Sequence, residues 1–491
     1  MAEERDVKET MDMMEKSRVA RLVQAQRDYF ANGRTLDLGF RRERLLALSQ
    51  ALEDYEDRLL DALHRDLGKA AFEGYATELL AVKEELGYIL RNFKRWARKE
   101  SFGSSVVNFP SHSSIYKEPL GVTLILSPWN YPLNLALTPL VSAIAAGNCA
   151  LIKPSRHAAQ TAAVMGKMLG EYFDPGHVAL VESGENTNEA LLLERFDHIF
   201  FTGSPAVGKI IMKAASKNLT PVTLELGGKS PCIVDRTARI DMAARRIVWG
   251  KCINAGQTCV APDYVLVEES VKEKLIRAIE KYIIAFYGSQ PLTNSDLPSI
   301  INDKHFNRLQ ALLDHEKQNI RYGGETDPQT RKIAPAILTD VDPESPVMQE
   351  EIFGPILPVL SFSRFEEAEN FVRQREKPLA LYLFTGSLLR EKRVMKRLSF
   401  GGGCVNDTVM HLAESRLPFG GVGRSGMGAY HGKRGFDTFT HEKSVIRKSQ
   451  LVDIPLRYPP YDGKLGLLKL SVKLMGFMKP VKLKQLGRGR R

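Results

Sequence analysis

Short apolar runs alternate with amphipathic stretches through most of this chain. Residues 122–126, 150–152, 178–181, 198–201 and 222–226 are mostly apolar and of strand length. Between them, 133–146, 158–172, 188–195 and 206–216 carry helical periodicity. Strands buried on both faces and joined by crossover helices predict an α/β fold with a parallel, doubly wound sheet of Rossmann type. The alternation resumes at a strand over 263–267 and helices over 271–286 and 304–316. Strands at 357–360, 379–384 and 403–406 follow, with helices over 365–375 and 388–398, so a second α/β domain is expected. Upstream, 10–60 and 79–96 are charged with helical spacing and predict surface helices. Residues 101–114 read as a polar connection, and 114–119 as one side of an extended hairpin.

At 491 residues the chain is too long for one compact core. Its apolar share (43%) and charged share (26%) are those of a globular protein. The five cysteines are odd in number and show no CxxC spacing, which argues against a disulfide framework or zinc ribbon and for a reducing compartment. The first residues lack the apolar core of a signal peptide, and no run reaches the roughly 18 apolar residues of a membrane span. A cytoplasmic location is therefore expected.

Location changes the meaning of the +11 net charge. Residues 457–491 hold ten Lys/Arg and one Asp, so +9 of it lies there and +2 in the rest. Leu465, Leu467, Leu468, Leu470, Val472, Leu474, Met475, Phe477 and Met478 form a broad apolar face ahead of a basic end. Residues 463–491 thus suit a helix lying on an anionic membrane surface at the cytosolic side. The other reading is a helix packed on the protein's own dimer. The tail lacks the interleaved aromatics that stack bases, which weighs against a nucleic-acid partner.

Candidate chemistry gathers at strand ends and one loop. Ser127-Pro128-Trp129-Asn130, Lys153-Pro154-Ser155-Arg156 and Thr202-Gly203-Ser204 fall at predicted carboxyl ends, where doubly wound sheets bind ligands. Gly203, Ser204 and Gly208 lie where a strand gives way to a helix, a place for pyrophosphate or for plain helix–strand packing. Glu225 sits inside an apolar strand before two glycines, as either a paired structural acid or a general base with a raised pKa. Cys259 sits on a short link between a helix ending near Gly256 and the next strand, where a side chain can face a cleft. Cys149, Cys232, Cys252 and Cys404 read as core, and His411 and His431 as surface or packing residues.

Together PWNYP (128–132), KPS (153–155), FTGS (201–204), VGK (207–209), LELGGKSP (224–231), GQTC (256–259), EEIFGP (350–355), PFGGVG (418–423) and SGMG (425–428) resemble the aldehyde dehydrogenase superfamily, its class 3 branch most closely. The resemblance implies a cofactor-binding domain (1–109 and 121–225), a catalytic domain (226–408) and a small β oligomerisation element (110–120 and 409–446). A basic amphipathic tail (447–491) follows, and a homodimer is implied.

The resemblance also implies NAD(P)-dependent oxidation of medium- to long-chain aliphatic or aromatic aldehydes. Cys259 would be the nucleophile, with a pKa below the free value of about 8.5. Asn130 would bind the oxyanion, and Glu225 would activate the water that hydrolyses the thioester. Glu351 and Phe353 match contacts to the nicotinamide-side ribose, and Lys153 the adenosine-ribose contact. No catalytic metal is implied. One departure stands out: Arg156 replaces the acid that commonly follows KPS, removing a group that repels a 2′-phosphate and opening NADP as well as NAD. A non-catalytic, membrane-scaffolding member acting through its tail is the competing class, against which the intact Asn130, Glu225 and Cys259 weigh.

Overall fold

The computed structural model describes residues 2–103, 108–182, 184 and 186–474. The chain divides into two compact units, Met1–Trp96 with Glu118–His441, and Ala97–Lys117 with Glu442–Arg491. The stretch 409–441 thus belongs with the larger unit.

Two sheets organise the larger unit. The first has six strands in the order Gly426–Met427, Val222–Leu226, His198–Gly203, Val122–Leu126, Cys149–Lys153 and Val178–Leu180, parallel except for the first pair. Its chain path runs outward from Val122–Leu126, then returns to fill the other side, so the topological switch falls between Val122–Leu126 and His198–Gly203. The alternating runs predicted these strands because both sheet faces are covered. Leu124, Leu151, Ile199, Phe201 and Leu224 pack with Val19 and Val23 of the helix Ala2–Ala31. Each such side chain contributes about 1.5–3 kcal/mol by leaving water.

The second sheet has seven strands in the order Ile320–Tyr322, Ala336–Thr339, Ile356–Phe362, Tyr264–Glu268, Pro231–Val234, Ala380–Phe384 and Gly402–Val405. All pair in parallel except the first. Only 227–230 join the end of Val222–Leu226 to the start of Pro231–Val234. The carboxyl edge of one sheet is therefore set against the amino edge of the other, and the candidate residues collect along that line.

In the smaller unit, Ser111–Pro119 pairs antiparallel with Glu100–Phe102 and lies between it and Thr440–Lys448. Lys117 reaches Glu100 at 3.3 Å and also pairs with Glu442. Thr440–Lys448 is exposed along nearly its whole length. A helix spans Lys464–Leu474, with Leu465, Leu467, Leu468 and Leu470 exposed. The rest of the expected amphipathic tail, from Met475 on, lies outside the described residues. No helix among the described residues is long and apolar enough to cross a membrane.

Candidate active site

The loop carrying Cys259 is fixed on both sides of that residue. The helix Ile240–Cys252 runs into a tight turn, Ile253–Gly256, in which Asn254 and Ala255 are left-handed (φ 52° and 51°). Gln257 Nε2 donates to Ser299 O at 3.0 Å, and Gln257 Oε1 accepts from Ile301 N at 3.0 Å. Thr258 Oγ1 shares a 2.6 Å hydrogen bond with the Tyr131 hydroxyl. Tyr382 donates its hydroxyl to Val260 O at 2.6 Å. Cys259 stays half-buried between these anchors. Gly256 is required here: its φ is +74°, and a Cβ would lie 2.3 Å from Gly354 O. That close approach brings 350–355 onto the cysteine loop.

The thiol's expected low pKa is not what this structure holds. Burial pushes the Cys259 thiol up, and the negative fields of Glu351 and Glu225 push it further. The correction has a plain cause: the thiol is desolvated, and the ionisable groups acting on it are acids rather than cations.

Glu225 is 2% exposed, at the carboxyl end of Val222–Leu226. It stands opposite Thr202 on one side and Gly426 on the other. Neither carboxyl oxygen has a hydrogen-bond partner among the described residues. Burial alone raises its pKa well above the ordinary carboxylate range. Of the two readings open in the sequence, the paired structural acid finds no partner among the described residues.

Asn130 is buried in the link after Val122–Leu126 and donates through Nδ2 to Gln257 O at 3.0 Å. An amide carries two such hydrogens, so one remains for another acceptor. The expected trio of Asn130, Glu225 and Cys259 is thus gathered at one place: Asn130 is bonded two residues before Cys259, and Glu225 lies within electrostatic reach of the thiol.

The residues expected to hold a dinucleotide line the carboxyl edge of the six-stranded sheet. Ser127 Oγ, Thr202 Oγ1 and both Glu225 oxygens are buried polar atoms without partners among the described residues. Lys153 ends its strand almost fully buried; burial, then the Arg156 charge, lower its pKa to about 8. Arg156 is exposed in the turn that follows. Two neighbouring cations and a row of unsatisfied polar atoms suit an anionic, hydroxyl-rich ligand. Ser204 caps the helix Pro205–Ala215 by accepting from Val207 N at 3.4 Å, so the helix starts directly at the strand end. Gly208 faces the sheet, where a Cβ would meet Leu226 Cδ2 at 3.0 Å, and so brings the helix close.

Glu351 lies against the glycine pair after Glu225; a Cβ on Gly227 would fall 1.9 Å from its Oε2. Burial, then Asp263, push its pKa up to about 8, while the Gly228 N–H counters them. Phe353 has a positive φ of 52° and meets Trp129 edge-on at 5.4 Å. This segment is held by Lys229, which pairs with Asp263 and donates to Val347 O at 2.9 Å and Glu350 O at 2.8 Å. Asp263 Oδ1 in turn accepts from Ile352 N at 2.9 Å. Lys229 was visible in the LELGGKSP run, but its partner was not. Tyr131, Tyr382 and Asn254 had no sequence signal beyond lying in or near matched stretches.

His411 and His431 are half-buried among packed rings, and desolvation lowers both to about 4. His431 lies against Tyr430 at 4.4 Å, and His411 Nδ1 is 3.6 Å from Cys404 Sγ.

Known proteins resemble this chain over most of its length. Residues 3–445 match the model of the aldehyde dehydrogenase family. The chain is 48% identical over 445 residues to 4,4'-diaponeurosporen-aldehyde dehydrogenase of Staphylococcus aureus (strain NCTC 8325 / PS 47), covering 91% of this chain and 97% of that protein. It is 48% identical over 442 residues to aldehyde dehydrogenase family 3 member A2 of Rattus norvegicus, covering 90% and 91%. With the dimeric NADP-preferring aldehyde dehydrogenase of Rattus norvegicus it shares 45% over 451 residues, 91% and 99%. The solved substrate-bound state of Staphylococcus aureus AldH superposes with a TM-score of 0.90 at 47% identity, covering 92% of this chain and 99% of that one.

Proposed function

The chain belongs to the aldehyde dehydrogenase family and is an NAD(P)-dependent oxidoreductase acting on aldehydes; on that premise we propose that Cys259, Glu225 and Asn130 carry the chemistry. The relatives are named as dehydrogenases, and nothing in them supports a non-catalytic scaffold. Cys259 adds through sulfur to the aldehyde carbon; its thiol proton passes to solvent and the carbonyl π electrons move onto oxygen. The oxyanion of the resulting thiohemiacetal accepts from the free amide hydrogen of Asn130 and the Cys259 N–H. Bound NAD(P)⁺ supplies the two-electron acceptor that makes oxidation to the thioester possible. Glu225 then takes the proton of the water that hydrolyses the thioester. The observation that carries this reading is a buried carboxyl with no partner, within electrostatic reach of the Cys259 thiol. Cys259→Ala is expected to abolish aldehyde oxidation while cofactor binding, followed by fluorescence quenching, stays near wild type. Substantial turnover in that variant places the nucleophile elsewhere.

Lys153 and the amides opening the helix Pro205–Ala215, beside Gly203 and Ser204, would hold the adenosine side of the cofactor. Glu351 and Phe353 would hold the nicotinamide-side ribose, with Gly208 setting the helix close enough to serve. Arg156 favours NADP through a charge-assisted contact to the 2′-phosphate, worth about ten- to a hundred-fold. Arg156→Glu should therefore move the kcat/KM ratio toward NAD; an unchanged ratio removes that role.

The substrate class we infer is medium- to long-chain aliphatic or aromatic aldehydes. A relative named for 4,4'-diaponeurosporen-aldehyde supports it. Initial rates along an aldehyde chain-length series test it. The exposed strand Thr440–Lys448 supports pairing in a homodimer, as the dimeric relative's name does. The exposed leucines of Lys464–Leu474, ahead of the basic residues to Arg491, support binding to anionic membrane surfaces. Truncation after Asp462 should abolish liposome flotation; equal flotation removes the membrane role.

A further inference from the structure

Lys69 and Glu78 form an ion pair with no exposed side-chain surface at either end. Lys69 Nζ donates to Glu78 Oε1 at 2.6 Å and to the main-chain carbonyl of Asn130 at 3.0 Å. The same ammonium lies 4.1 Å from the centre of the Tyr131 ring, whose hydroxyl holds Thr258. Glu78 uses its other oxygen on the far side of the loop, accepting from Leu133 N at 3.1 Å and Asn134 N at 3.0 Å. One acid and one base thus grip the 130–134 segment at both ends. Asn254 adds a second hold: its Nδ2 donates to Asn130 O at 2.8 Å and to Gln257 O at 3.1 Å. Asn254 is itself fixed by its N–H, which donates to Glu73 Oε1 at 2.8 Å. Glu73 and Glu78 come from one continuous helical stretch whose middle segment, Tyr75–Leu79 between Ala71–Gly74 and Leu80–Trp96, is a π-helix, a local form frequent at functional sites.

Stability alone is a poor reason for such a pair. Desolvating two charges offsets most of their attraction, and apolar residues of similar volume serve a core as well. A single carbonyl held by two donors from different segments is a device for fixing position. We propose that Lys69 and Glu78 are a positioning pair for the dehydrogenase reaction, fixing the Asn130 main chain so that its side-chain amide meets the oxyanion formed at Cys259. The inference rests on the roles read above for Asn130 and Cys259. Neither charge touches the substrate; both act through Asn130.

Removing one charge would strand the other in the core, so the test removes both. In Lys69→Met/Glu78→Gln the new amide oxygen can still accept from Leu133 N and Asn134 N, but Asn130 O loses its ammonium donor. The pair variant should lose about 10- to 100-fold in kcat, the cost of a small misplacement. Its melting temperature and cofactor Kd should stay near those of wild type. Because the pair acts through Asn130, the loss should shrink at least about threefold when the same changes are made in an Asn130→Ala background. Wild-type kcat in the pair variant overturns the inference, as does an equal loss with and without the Asn130 side chain. Asn130→Ala with full kcat would instead bring down the oxyanion reading itself, and the inference with it.

Should the pair variant not fold, Lys69→Gln/Glu78→Gln gives the same information, since both charges go together and the shorter, neutral glutamine withdraws the ammonium donor from Asn130 O. Its kcat should fall about tenfold in the wild-type background and much less in Asn130→Ala. An unchanged kcat overturns the proposal.

Discussion

Glu225 and Asp235 are ten residues apart, each buried at the end of a strand, and they live in opposite circumstances. Asp235, just past Pro231–Val234, accepts from Thr237 N at 2.7 Å, from the hydroxyls of Thr237 and Thr385, and from Arg390 Nη1 at 3.1 Å. Arg390 also holds Glu268 at 2.8 Å. Burial would raise the Asp235 pKa, but these donors outweigh it and hold the carboxyl below its ordinary range. Glu225 has burial and no donor, and its pKa rises well above that range. This chain can satisfy a buried carboxylate within one short link of Glu225. Leaving Glu225 bare holds a high-pKa carboxyl in a dry site, a strong base once its proton has left, at a cost in stability that the surrounding core must carry.

Exchanging carboxyl for amide at the two positions should therefore have opposite results. Glu225→Gln should lower steady-state turnover by about 10²- to 10⁴-fold, the range for a lost general base. It should also raise the melting temperature at neutral and alkaline pH. The sign follows from proton binding: the folded state keeps a proton on Glu225 that the unfolded chain releases near pH 4.3, so wild-type stability falls as pH rises from there through the folded pKa. The amide does not titrate, and the gap in melting temperature should widen across that window. A gap that closes with rising pH would break the comparison.

Asp235→Asn should leave kcat near wild type and reduce stability at pH 7 by about 1–3 kcal/mol, measured by urea unfolding. Its depressed pKa contributes stability that is present above the unfolded value of about 3.9 and lost as pH falls through the folded one. The deficit should thus shrink on acidification below pH 4. Thr237→Val, which removes one of several donors, should cost about 0.5–1.5 kcal/mol and no activity. Loss of turnover in either variant would mean that the Asp235 network reaches the active site.

The sequence disclosed what depends on local pattern and left dark what depends on meeting. Strands such as Val122–Leu126 and Ala380–Phe384 were legible because burial on both faces demands an unbroken apolar run. Pro231–Val234 was missed because it opens on proline straight after a glycine-rich turn, and Ala336–Thr339 because it is four residues long between polar stretches. The pairing of Gly426–Met427 beside Glu225 leaves no trace in two residues. At the site, the family resemblance marked Cys259, Glu225 and Asn130, but not the fields around them. Hence the Cys259 thiol was expected low and stands high beside Glu351 and Glu225. The Lys69–Glu78 grip was invisible, because two charges nine residues apart in a stretch assigned no element look like solvated surface.

A rapid-mixing measurement on Glu225→Gln tests most directly whether the bare carboxyl is the base for thioester hydrolysis. Aldehyde mixed with enzyme and saturating cofactor should give a burst of reduced cofactor approaching one equivalent per site, at a rate close to wild type. A steady state slower by about 10²-fold or more should follow, because the amide cannot take the proton of the attacking water. Disappearance of the burst together with the steady state would contradict the account, placing Glu225 before oxidation, in the activation of Cys259.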